Sequence, residues 1–249
     1  MTLLFRLMLI TAVCALVIGG SVTQFRLATR LSEIEDDVRT LKARKAASIV
    51  SEAGSTSLTI PKEPVPLKGA AIRGERTAAV AVVEYADFQC EFCARFAVET
   101  MPELEKLYIN PKKVLFAFRH LPLSQTHAGA RLAAEGAECA NRQGFFWQMH
   151  RQLFHDSSVV SEAKLQTYAT KSGLNSAAFM ACIRGQAAAA VSADVESARA
   201  LGISATPTFL IGAVESDGRV RVQQTIVGFR QAADFASVLD KVLSSLVAP

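Results

Sequence analysis

"VEYADFQCEFCARF", residues 83–96, sets Cys90 and Cys93 three positions apart at the end of an apolar run. The wider stretch "TAAVAVVEYADF" (77–88) is apolar and β-rich with little polar alternation, the pattern of a central strand buried on both faces. From Cys93 to Leu107 the apolar spacing turns helical. The two cysteines therefore fall at a strand-to-helix junction. Three chemistries fit their spacing: a metal clamp, a structural staple and a redox-active dithiol.

A zinc site needs four ligands, usually supplied as two close pairs. "HRQLFH" offers His150 and His155, but 56 residues separate Cys93 from His150, against about 12–15 in a finger. The histidines read instead as helix-surface or partly buried residues beside Trp147. A redox dithiol explains more. At a helix N-terminus the unpaired N–H groups and the macrodipole favour a thiolate at Cys90, with Cys93 one turn inside as the resolving thiol. "ATPTF" (205–209) sharpens this reading, because Thr206-Pro207 at the mouth of a later strand is a candidate cis peptide. Proline removes an N–H there and leaves the backbone open for a substrate segment to pair as an added strand.

The 249 residues suit one domain with additions, and half of them are hydrophobic, a globular composition. The net charge of +4 is concentrated at the front. Residues 1–45 carry seven Lys/Arg and four Asp/Glu, leaving 20 against 19 in the remainder. A nearly neutral body gives no electrostatic footprint for nucleic acid, and that partner class is set aside.

Residues 1–25 read as an address. Arg6 precedes an uncharged, mostly apolar run from Leu7 to Val22. Those sixteen residues would span about 24 Å as a helix, short of a bilayer core of about 30 Å. Gly19 and Ser21 suit a signal-peptidase site, whereas extension over residues 3–25 gives an inner-membrane anchor with Arg6 held inside. Cleaved signal and retained anchor both place the body outside the cytoplasm, where cysteine pairs are disulfides by default. Cys14 is apolar filler in this segment. Leu27, Leu31, Ile34, Val38 and Leu41 then recur at heptad spacing, with Arg30/Glu35 and Asp37/Lys42 as opposite g-to-e′ pairs. This predicts a short coiled-coil stalk over 26–45 and homo-oligomers through residues 27–41; an amphipathic helix packed on its own body is the other reading. Residues 46–67 have linker composition.

The body, 68–249, alternates strand, helix, strand ("KKVLFAFRHLPL"), an Ala-rich helical block over about 124–201, a strand pair ("TPTFLIG", "RVRVQQTIVG") and an amphipathic final helix. The fold class is α/β with a helical insertion. "DFQCEFCARF", "AAEGAECANRQGFFWQMHRQLF" and "GISATPTFLIG" together resemble the thioredoxin superfamily, in particular its DsbA-like thiol–disulfide oxidoreductases. The resemblance implies Cys90 as nucleophile, Cys93 as resolving thiol and Pro207 as the cis-proline beside them, preceded by Thr206. It also implies that Glu84 is a buried acid beneath the dithiol. Independently, a lone carboxylate in an apolar strand is costly without a partner or a task. Desolvation should raise its pKa and suit it to proton exchange with Cys93; a solvated position at the sheet edge is the alternative.

Where strongly oxidising members have Pro-His between the cysteines, this chain has Glu91-Phe92. Glu91 would oppose a neighbouring thiolate, which predicts a potential between about −270 mV, the value for thioredoxin, and about −120 mV, that for DsbA. Cys139 and Cys182 lie in helical contexts of the insertion and are expected to form a structural disulfide, a second pair that the resemblance also implies; two buried thiols are the alternative. His127 is expected at a helix N-terminus, within possible reach of the dithiol, and Arg119 and His120 at a strand end. Trp147 reads as core, and on resemblance alone Tyr85 and Phe88 rim the site.

The expected activity is that of a periplasmic or otherwise extracytoplasmic protein thiol–disulfide oxidoreductase, without a cofactor. As an oxidase it would pass a disulfide to unfolded or misoxidised clients and be reoxidised by a quinone-linked membrane partner. As an oligomeric isomerase or reductase it would be kept reduced by a membrane electron donor. A redox-inactive tethered binding module is the reading from another class.

Overall fold

The computed structural model describes residues 58–156 and 160–247. The signal or anchor segment 1–25, the heptads of 26–45 and most of the linker lie outside the described residues. Among the described residues, no helix is long and apolar enough to cross a membrane.

Six strands form one sheet: β1 Val65–Pro66, β2 Ala71–Arg73, β3 Val80–Ala86, β4 Val114–His120, β5 Thr208–Val214 and β6 Arg219–Val227, in the order β1-β6-β5-β3-β4-β2. Every residue of β3 and β4 is buried, as their apolar runs predict. β3 pairs in parallel with β4 and antiparallel with β5, which makes it central. Parallel neighbours need a crossover. The chain supplies it with the helix that follows Cys90, wound without a break from Glu91 to Ile109. Its segments are α1 Glu91–Arg95, π-helical Phe96–Thr100, α2 Met101–Leu104 and π-helical Glu105–Ile109. Pro102 has no N–H to give the preceding turn, and the first wide π turn lies just before it.

Side-chain alternation along the strands sorts the core into layers. Val80, Val82, Phe116, Phe209 and Ile211 face Phe96, Met101 and Leu104 of the crossover helix, and Phe235 and Leu239 of α8, Ala232–Val247. Ala81, Val83, Tyr85, Ala117 and Leu210 face the other way, toward Ala198 and Ile203. The insertion comprises α3 Ala130–Asn141, α4 Phe146–His155, α5 Glu162–Lys171, α6 Ser176–Ile183 and α7 Ala188–Ala200. It builds a third cluster on Phe88, Phe118 and both active-stretch cysteines. A disulfide between Cys139 and Cys182 ties α3 to α6 across 43 residues of sequence.

Three details differ from expectation. The sheet begins before Lys68: Val65 pairs with Val220, and Val65 and Leu67 are buried, two residues apart as in a strand. Arg119 and His120 do more than flank a strand end. Arg119 donates to Asp194 Oδ1 of α7 (2.7 Å) and to the carbonyls of Pro66 (2.6 Å) and Lys68 (2.8 Å), fastening the insertion and the first strand to β4. Tyr85 does not rim the dithiol. It is wholly buried on the opposite face of β3 from Glu84, its hydroxyl 2.9 Å from Ser197 Oγ. Phe88 is likewise buried, its ring 4.8 Å from that of Phe154 and 5.2 Å from that of Phe118.

Candidate active site

Cys90 sits at the N-cap of α1 with extended backbone (φ −78°, ψ 122°), and its carbonyl accepts the first helical bond from Ala94 N at 3.0 Å. Cys93 is completely buried one turn inside. Both are free thiols. From the far side of the sheet's end, the Thr206-Pro207 peptide, which is cis, closes over the pair. The Cys90 thiol donates to the Thr206 carbonyl at 3.4 Å. Gly228 N bonds the Pro207 carbonyl at 2.8 Å, fixing the loop to the end of β6. The sequence thus placed the two cysteines and Thr206-Pro207 on separate elements, and the fold brings Cys90 and Thr206 together.

The two thiols differ in acidity for physical reasons. A hydrogen bond from the Cys93 thiol is the largest influence on Cys90 and outweighs burial. With help from Thr206 and the amides of Cys93 and Phe92, it draws Cys90 from 9.0 to about 6. Burial pushes Cys93 well above the ordinary thiol value, reinforced by the bond it gives Cys90 and by the charges of Glu84 and Cys90. The surroundings thus favour the thiolate at Cys90 and the protonated thiol at Cys93.

Glu84 is buried, paired in register between Phe118 and Phe209 on the face that carries the dithiol. Its Oε1 has no hydrogen-bond partner. Burial first, and the charge of Cys90 second, raise its pKa well above 4.5. Glu91, by contrast, is exposed to solvent, where water and salt screen its charge from Cys90. His150 is buried against Trp147, with ring centroids 5.1 Å apart, while His155 is exposed.

Sequence reasoning missed Asp87. Its carboxylate is buried and accepts from Gln89 N (2.8 Å), Leu123 N (2.8 Å) and His127 Nδ1 (2.8 Å). Its carbonyl accepts from Cys90 N at 3.1 Å. The available signal was an Asp directly after an apolar strand and three residues before a helix cap, a position that favours side-chain bonding to the turn that follows.

Comparison with known proteins agrees with this geometry. The family model described as Thioredoxin matches residues 67–226. The crystal structure of alpha-DsbA1 from Wolbachia pipientis is similar at 26% identity and a TM-score of 0.64, over 74% of this chain and 95% of that one. BdbD from Bacillus subtilis shares the fold at 23% identity and a TM-score of 0.63, over 73% and 96% of the two chains. A protein of Salinispora tropica named Na(+)/H(+) antiporter NhaA 3 is 34% identical over 213 residues, which are 83% of this chain and 30% of that protein. The corresponding Salinispora arenicola protein, Na(+)/H(+) antiporter NhaA 1, is 34% identical over 214 residues, again 30% of its length. The chain thus spans under a third of these curated relatives. With a thiolate cysteine at a helix tip, a buried partner thiol and a cis-proline closing over them, the chain belongs to the thioredoxin family, as a DsbA-like member of that superfamily.

Proposed function

We propose that the protein is an extracytoplasmic thiol–disulfide oxidoreductase that forms disulfides in client proteins through Cys90 and Cys93. The observation that carries this reading is the unequal acidity of the pair. A thiolate-stabilised Cys90 favours the reduced dithiol, so the Cys90–Cys93 disulfide is a willing oxidant.

In the forward direction a client thiolate attacks Sγ of Cys90 in the disulfide. The Cys90–Cys93 bond breaks, and Cys93 leaves as a thiolate that takes a proton. Glu84, buried and with its pKa raised by that burial, is the donor. The client's second thiolate then attacks its own sulfur in the mixed disulfide and expels the Cys90 thiolate. Two electrons pass from client to protein, and a quinone-linked membrane partner removes them. The backbone beside Pro207 receives the client segment as an added strand. The extracytoplasmic setting rests on residues 1–25, and the membrane antiporter names of the curated relatives are in keeping with a domain that works at a membrane.

A second reading, an oligomeric isomerase or reductase kept reduced by a membrane electron donor, is favoured by the heptads of 27–41, which would join several dithiols around one client. Cys93→Ala tests the shared chemistry: covalent client adducts through Cys90 are expected, and their absence argues for a mere binding module. Refolding of a scrambled-disulfide substrate by the full chain and by a version lacking residues 22–45 separates the two roles. Isomerisation that depends on the stalk selects the isomerase, and oxidation of reduced substrate without isomerisation selects the oxidase.

A further inference from the structure

The loop between β4 and α3 is sewn to the turn that presents Cys90. Leu121 N bonds Ala86 O (2.8 Å), Leu123 N bonds Asp87 Oδ2, and His127 N returns to Leu123 O (2.9 Å). Gln89 Oε1 accepts from Gly129 N at 2.6 Å. The seam is close enough that a Cβ on Gly129 would lie 3.0–3.3 Å from the Gln89 amide. Asp87 is the hub. Its side chain is fully enclosed, while His127, whose side chain keeps 28% of its exposure, reaches in from 40 residues away. A carboxylate only accepts, so Nδ1–H of His127 is the donor. The backbone of the same Asp87 reaches both cysteines: its carbonyl takes the Cys90 N–H, and a backbone hydrogen bond from it acts on the Cys93 sulfur.

Two backbone donors, Gln89 N and Leu123 N, already engage both carboxylate oxygens. The third bond, from His127, adds little to satisfying the charge but joins a separate loop to the cysteine turn. We propose that Asp87 and His127 are positioning residues for the dithiol: the histidine-held carboxylate fixes the Asp87–Cys90 turn and thereby sets how Cys90 stands over Cys93 and beneath Thr206. The inference rests on reading Cys90 and Cys93 as the redox pair, and it adds to that site two residues that touch no substrate.

The test uses the full chain, reduced, and follows alkylation of Cys90 by iodoacetamide at pH 5 together with thermal unfolding. Below its pKa, Cys90 reacts in proportion to its thiolate fraction, so a titration displaced by one pH unit reads as a tenfold rate change. His127→Leu is expected to slow alkylation about tenfold. His127→Asn keeps an N–H donor near the place of Nδ1 and is expected to recover to within about threefold of the parent rate. Thr126→Ala, which loses only the bond to Leu123 O within the same loop, is expected to leave the rate unchanged. An unchanged rate in His127→Leu, with only its melting temperature lowered, overturns the proposal and leaves a purely structural strap. Should His127→Leu fail to fold, His127→Gln, whose amide N–H stands near the place of Nε2 rather than Nδ1, breaks the same bond to Asp87, and a parental rate there overturns the proposal equally. Alkylation needs no client, so a protein that oxidises no client would still give a readable answer.

Discussion

The Cys90 thiol gives its hydrogen to the carbonyl of Thr206 at 3.4 Å, while the Thr206 hydroxyl, also buried, has no partner of its own. Once Cys90 ionises, it has no proton for that carbonyl, and the idle hydroxyl can turn to the thiolate. Thr206 is one of the groups that lower the Cys90 pKa. A hydrogen bond to a charged group contributes about 1.5–3 kcal/mol, and 1.36 kcal/mol is one pKa unit. Thr206→Val is therefore expected to move the titration of Cys90, read by thiolate absorbance near 240 nm, upward by about one pH unit or more. At pH 5, where Cys90 largely keeps its proton and the hydroxyl is idle, thermal stability should hold or improve. Unchanged titration would mean that the hydroxyl faces elsewhere.

Glu84 gives a prediction of opposite character. Its folded pKa is raised, so the protonated group favours the native state below about pH 4.5, and that advantage is lost as pH rises toward the folded value. Glu84→Gln keeps the shape and removes the charge. The variant should become more stable than the parent as pH climbs above 4.5, the gap growing by at most about 1.4 kcal/mol per pH unit. Denaturant unfolding at pH 5, 6, 7 and 8 measures it. The same variant should slow formation of the mixed disulfide, since Cys93 loses the group that protonates it as it leaves. A gap that is flat with pH would show that Glu84 ionises freely in the fold.

Much of this was legible in the chain because its signals are local. The mostly apolar run at 77–88 reads as a central strand, the turn to helical spacing after it places Cys90 at a helix start, and Thr206-Pro207 marks a strand mouth. Glu84 stood out for the same reason: a carboxylate in such a run is either buried or at the sheet edge, and the structure buries it. What escaped depends on contacts distant in sequence. Asp87 meets His127 and Leu123 across roughly 40 residues, and Arg119 meets Asp194 across 75. Strand parity decided Tyr85, which alternates away from Glu84 onto the insertion's α7. Glu91 was read from its neighbourhood in the chain alone. Its side chain stands in water, which weakens the charge it sets against Cys90.

The Cys139–Cys182 bridge closes a span of 43 residues between α3 and α6. On a chain-entropy model such a crosslink contributes about 4 kcal/mol, and for a domain of this size each kcal/mol moves the melting temperature by about 2–4 °C. Replacing both cysteines with Ala should lower the melting temperature by about 10 °C. The Cys90 titration should be left alone, because the bridge is no part of the groups that set it. Calorimetry and 240 nm absorbance on one sample check both halves. A Cys90 titration that moved with the bridge would mean that the insertion's packing, through the core it shares with both redox thiols, tunes the site.

His120 and His150 govern the acid side. Both are buried among Phe118, Phe146 and Phe88, and His120 Nδ1 has no partner. Burial is the chief cause that brings each from 6.5 to about 3, with neighbouring arginines adding to it. A group whose folded pKa is depressed supports the fold above its unfolded pKa, and that support is lost as pH falls toward the folded value. Between about pH 6.5 and 3 each histidine therefore removes up to about 1.4 kcal/mol per pH unit. His120→Leu eliminates one of the two, and its backbone N–H still bonds Asp194 Oδ2 at 2.9 Å. Relative to the parent, the variant should gain up to about 2.7 kcal/mol on going from pH 6.5 to 4.5, two pH units at no more than that slope. Equal acid slopes for parent and variant would place the proton on His120 inside the folded protein.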